Sequence, residues 1–156
     1  MIKEIKEIAE YSLYKLDCYS DDALALVVRT GMAESGYRAL KGYGKNNPAI
    51  GFWQIEPATM HDMIKNYIAY RSKYKKALEE LGMKFEGDDI EISVISNLAV
   101  QAALCRLHYR RDKYPLPSWD SLETQGKYWK RVYNTNKGRG TVEHFMTANL
   151  EDDIVF

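Results

Sequence analysis

The chain has 156 residues, and its 22 basic side chains equal its 22 acidic ones. At 46% hydrophobic and 28% charged it has the makeup of one water-soluble globular domain, long enough to bury a core. The charge balance excludes a general field directed at nucleic acid, and the longest strictly apolar run, 23–28, is too short to cross a bilayer, so no membrane span is expected.

Helical periodicity begins at once. Ile2, Ile5, Ile8, Ala9, Leu13 and Leu16 recur at three and four residues, one apolar stripe on a first helix. Ser20 suits an N-cap, with Asp21 and Asp22 in the favoured first turn of a second helix that carries Leu24, Val27, Val28 and Glu34 and stops at Gly36. Residues 37–51 crowd Gly42, Gly44, Asn46-Asn47-Pro48 and Gly51 together and predict an irregular segment whose backbone can approach a ligand. Pro57 opens a third helix over 57–70, and 71–82 continue as an amphipathic helix ending at Gly82. The Glu86-Gly87-Asp88-Asp89 run lacks the alternating spacing of a calcium loop and reads as solvated surface. The strongest helical pattern covers 92–111, where Ile95, Leu98, Ala99, Ala102, Ala103 and Leu107 form a wide face with small residues, as in a central helix. Tyr114-Pro115-Leu116-Pro117 breaks it. Ser118 then caps a helix through 122–133, and Thr141 caps a last one ending near Leu150; the tail 151–156 gives no clear signal. No convincing strand, repeat or linker is present. The expected fold is an all-α or mainly α single domain over 1–156, with at most a small sheet near 38–55.

Cys18 and Cys105 both fall in apolar helical patterns and read as buried free thiols. His61, His108 and His144 show no ligand spacing, so neither a metal nor another cofactor is expected. Residues 93–140 are locally basic, yet Lys137-Gly138-Arg139-Gly140 is no phosphate loop, because no strand precedes it and the lysine-threonine spacing is wrong. Nucleic acid is not an expected partner. The first residues, Met1-Ile2-Lys3-Glu4-Ile5-Lys6-Glu7, are charged and amphipathic and do not form a signal peptide.

Chemistry gathers around Glu34. It closes an apolar run of Ala23, Leu24, Ala25, Leu26, Val27, Val28, Met32 and Ala33, which places a carboxylate at the edge of a core. Burial disfavours its charged form and raises its pKa. A carboxylic acid still protonated near neutral pH can hand a proton to a leaving oxygen, which glycosidic cleavage requires.

Glu34-Ser35-Gly36, followed by Gly51-Phe52-Trp53-Gln54-Ile55-Glu56-Pro57-Ala58-Thr59 and later by Tyr133-Asn134 with Gly138, resembles the soluble lytic transglycosylases and goose-type lysozymes. The three motifs span most of the chain in the family's order, while Phe52 and Trp53 replace the family's Leu-Met pair. The resemblance implies a lysozyme-like domain with a groove between two helical lobes. It implies that Glu34 is the general acid and that Ser35, Phe52, Gln54, Tyr133 and Asn134 contact substrate, with Tyr133 hydrogen-bonding near the carboxyl. The implied substrate is the peptidoglycan glycan strand, cut between N-acetylmuramic acid and N-acetylglucosamine. Between Ser35 and Ile55 there is no acid, whereas goose-type lysozymes place aspartates there. A lytic transglycosylase, which needs one carboxylate as acid and then as base, is therefore the expected activity. The alternatives are a hydrolytic muramidase, with Glu56 or the weaker Asp62 as second acid, and a non-catalytic lysozyme-like module of a virion. Phage-encoded wall hydrolases offer the closest analogy in context: synthesis in the cytoplasm, then access to the wall through host lysis or as a virion component beside other virion proteins.

Overall fold

The apolar stripes dictate the packing. The structure, a computed structural model, describes residues 1–38, 40, 47–150 and 156. It is mainly helical, 65% helix, with eight α-helices and no strand among the described residues. The first, α1 (Ile2–Lys15), buries Ile5, Ala9 and Leu13 and leaves Tyr11 and Tyr14 in water. In α2 (Asp21–Ser35) ten of fifteen residues are buried, so this helix is wrapped nearly all round. Ser20 caps it by accepting the Ala23 N–H at 3.0 Å, and Gly36 ends it in the left-handed conformation at φ 59°.

Next come α3 (Pro57–Asn66), a 3-10 turn (Ile68–Tyr70) and α4 (Ser72–Leu81), which stops at left-handed Gly82. The expected continuous helix over 57–70 is thus broken at Tyr67, whose φ of −133° takes it out of the helix. The pattern over 92–111 is likewise two helices, α5 (Ile90–Ile95) and α6 (Leu98–Arg110). Asn97 divides them: its side chain accepts the Val100 N–H at 3.0 Å as an N-cap and donates to the Leu81 carbonyl at 2.7 Å. A hydrophobic pattern does not register such a cap, because the stripe continues across it. Ser121, rather than Ser118, caps α7 (Leu122–Trp129), which widens into a π-helical turn (Lys130–Asn134). Finally, α8 (Val142–Leu150) begins with the Thr141 hydroxyl accepting the His144 N–H at 3.0 Å.

Two apolar cores meet along α6. One face, with Val100, Ala103, Leu104 and Leu107, packs on α3, α4 and α5. The other, with Ala102, Cys105 and Tyr109, packs on α1 and α2. The small residues let α1 approach closely, and buried Ser12 ties the pair by donating to the Ile8 and Ala99 carbonyls, each at 2.9 Å. A third, smaller cluster of Ala33, Trp129 and Phe145 joins α2, α7 and α8. Cys18 and Cys105 are buried free thiols.

Among the described residues the expected small sheet reduces to one antiparallel bridge between Ile50 and Ile55, with N–H to carbonyl distances of 2.9 and 3.1 Å. Much of the irregular 37–51 segment, including Gly42, Gly44 and Asn46, lies outside the described residues, as does most of the 151–156 tail. Among the described residues no helix is long and apolar enough to cross a membrane.

Candidate functional site

Glu34 is the penultimate residue of α2, one turn after the helix leaves the deepest core. Its neighbours decide its chemistry. Trp129, 1% exposed, donates its Nε1–H to Glu34 Oε1 at 2.9 Å. Burial raises the Glu34 pKa to about 7, against a smaller downward pull from that hydrogen bond. The carboxyl is thus an acid that is half protonated near neutral pH. It opens on a groove of about 980 Å³, lined by residues 47–49, 54–56 and Thr59, by His108 and by residues 133–135 and 137–139.

The adjacent residue has the opposite task. Ser35 is buried; its hydroxyl donates to the Phe52 carbonyl at 2.6 Å and accepts the Tyr37 N–H at 3.1 Å. It fastens the end of α2 to the 51–55 turn. Phe52 stands edge-on to Tyr37, 5.7 Å between ring centres, and its N–H donates to Gln101 Oε1 at 2.8 Å. Neither Ser35 nor Phe52 lines the groove. Their hydrogen bonds and ring packing make them supports of the turn beside it. Trp53 is core, 1% exposed, with its indole N–H on the Val27 carbonyl at 2.8 Å.

Gln54 does reach the groove. It sits at φ 47°, a left-handed conformation uncommon outside glycine, held because both its N–H and its Nε2 donate to the Gly51 carbonyl, at 3.1 and 2.9 Å. Gly51 itself has φ 75°, and a Cβ there would stand 2.5 Å from Gln101 Oε1. The Gly-x-x-Gln spacing is therefore a turn whose glutamine side chain folds back on Gly51 and borders the groove.

Tyr133 and Asn134 enter from the π-helical turn, a rare geometry frequent at functional sites. Tyr133 lines the groove, but its hydroxyl donates to the Trp53 carbonyl at 2.6 Å. The expected hydrogen bond near the carboxyl is made instead by Trp129. Asn134 Oδ1 accepts from Lys130 Nζ at 2.6 Å, and the same ammonium donates to the Thr135 and Gly138 carbonyls at 3.0 and 3.1 Å. One lysine thus fixes the shape of the segment after the π turn.

Four groups were missed from the sequence. Trp129 lies four residues before Tyr133, about one helical turn away, so the two side chains could have been read as neighbours. His108 lines the groove and packs edge-on against Tyr133, 4.8 Å between ring centres at 89°. Burial, aided by the Arg111 charge, lowers its pKa to about 4, while a hydrogen bond to the Val132 backbone pulls the other way. It is neutral at pH 7. Its Nδ1 faces Arg111 Nη2 at 2.8 Å and must accept there, which assigns the ring proton to Nε2. Lys137 and Arg139 also line the groove. Glu56 does too, as an exposed residue at the head of α3, whereas Asp62 pairs with Arg111 at 2.8 Å away from it.

Among the described residues, no group of three or more His, Cys, Asp and Glu side chains is placed to hold a metal ion. Comparison of the chain with protein-family models, with curated proteins and with solved structures finds no match.

Proposed function

We propose that the protein cleaves peptidoglycan glycan strands between N-acetylmuramic acid and N-acetylglucosamine as a lytic transglycosylase. The observation that carries the reading is Glu34: a carboxyl pushed to about 7 by burial, opening on a groove wide enough for several sugar rings. Its order of motifs with Gln54 and Tyr133 resembles that family's, and all three side chains line one groove.

The chemistry needs one carboxyl. Protonated Glu34 gives its proton to the glycosidic oxygen as the bond from that oxygen to the muramic acid C1 breaks. The substrate's own N-acetyl oxygen stabilises C1. The Glu34 carboxylate then takes the proton of the 6-hydroxyl as that oxygen attacks C1, leaving a 1,6-anhydro end and a protonated Glu34. Trp129 favours the charged form and Gln54 offers an amide to the sugar.

A hydrolytic reading is favoured by one observation, the presence of Glu56 on the same groove. Most glycosidases use two carboxylates, the second one activating water or attacking C1. Product analysis of digested cell wall separates the two. Anhydro-muramyl ends with Glu56→Gln still active support the transglycosylase; reducing ends lost in Glu56→Gln identify a hydrolase. Undiminished lysis by Glu34→Gln refutes both.

A further inference from the structure

The groove is asymmetric in charge. On the 133–139 wall stand Lys137 and Arg139, both exposed and neither in an ion pair among the described residues. The acids on the same groove are Glu34, half neutral near pH 7, and exposed Glu56. The two cations do not sit on a loose tip. Lys130 Nζ holds Asn134, Thr135 and Gly138 at 2.6 to 3.1 Å. A Cβ on Gly138 would meet Asn134 at 2.4 Å, and one on Gly140 would meet Trp129 at 2.5 Å. The backbone carrying Lys137 and Arg139 is therefore seated on the helix that supplies the donor to Glu34. A neutral sugar chain offers such a wall hydrogen-bond acceptors but no countercharge. A strand whose muramic acid residues carry acidic peptides presents carboxylates beside the scissile linkage.

We propose that Lys137 and Arg139 form a carboxylate subsite that takes the acidic stem peptide of the glycan strand. The subsite makes the protein act preferentially on strands whose stems keep their free carboxylates. This rests on the groove being the glycan site. Arg139 offers the paired donors a carboxylate accepts, and Lys137 a mobile point charge. Both being solvent-exposed, their joint effect is modest and salt-sensitive.

The test uses two substrates of one shape: glycan strands with free stem carboxylates, and the same strands after conversion of those carboxylates to carboxamides. The expected kcat/KM ratio for the intact chain is roughly three- to tenfold in favour of the free acids at low salt. The ratio falls to about one in Lys137→Gln/Arg139→Gln and inverts in Lys137→Glu/Arg139→Glu, an inversion that misfolding does not produce. Equal rates on both substrates with the unmutated chain, or a preference retained in the double Gln variant, overturn the subsite. Absence of cleavage on either substrate speaks against the enzymatic reading alone. Calorimetric binding of soluble peptide-bearing disaccharides, free acid against amide, then decides the subsite by the same ratio, and equal binding overturns it.

Discussion

Glu34→Gln ought to make the folded protein more stable while removing its acid. In the folded chain burial holds the carboxyl at about 7, against an ordinary glutamate value of 4.5. Below 4.5 the side chain is neutral folded and unfolded alike, and burial of the charge costs nothing. Between 4.5 and about 7 the folded state binds the proton more tightly, so stability falls as pH rises through this window. Above it the full penalty is present. At ~1.4 kcal/mol per pH unit the gap corresponds to about 3 kcal/mol, an upper bound because the groove admits water. Glutamine has the same shape, no charge, and an oxygen that still accepts the Trp129 N–H. Urea denaturation at pH 4 and pH 8 measures the difference. We expect near-equal stability at pH 4 and a gain of about 1–3 kcal/mol for the variant at pH 8. A difference between the two proteins that does not change with pH refutes the burial argument, and with it the protonated acid near neutrality.

Other consequences are open to direct measurement. Trp129→Phe removes the indole donor on Glu34 Oε1, so the carboxyl pKa rises further and the alkaline limb of the pH–lysis profile moves up; a limb moved downward refutes it. Gly51→Ala meets both a φ of 75° and Gln101 Oε1 at 2.5 Å, and is expected to cost about 1–3 kcal/mol in a denaturant titration. Arg106 is buried with Nε and Nη1 lacking partners among the described residues. Replacing it with Met, which fills similar space without charge, is expected to stabilise by about 1–2 kcal/mol, read as a raised urea midpoint; a lowered midpoint would show that the guanidinium holds a compensating partner.

What could be read from the sequence was what short-range physics writes there. Glu34 at the end of an apolar run was legible because burial follows from the run itself, and the caps at Ser20, Gly36, Pro57, Gly82 and Thr141 because each acts within one helical turn. The helix break at Asn97 was not, since its cap competes with an uninterrupted stripe and its amide reaches back to Leu81. For Ser35 and Phe52 the limit is a related one: a motif names neighbours of the acid without saying which way each side chain turns. Trp129 and His108 were hidden because their partners, Glu34 at one end and Tyr133 at the other, become neighbours only once α2, α6 and the π turn converge. The lysozyme-like lobes remain a matter of resemblance; two cores sharing α6 are what the coordinates describe.

The π turn and the segment behind it follow α6 in the chain, and with His108 of α6 and the indole that touches the acid they supply much of the lining of the cleft. A nascent chain that has emerged only as far as α6 lacks Trp129 and Phe145, so the end of the helix bearing Glu34 is not yet covered. The cavity is thus completed by residues made after α6, and a chain stopped before Trp129 lacks the indole that touches the carboxyl.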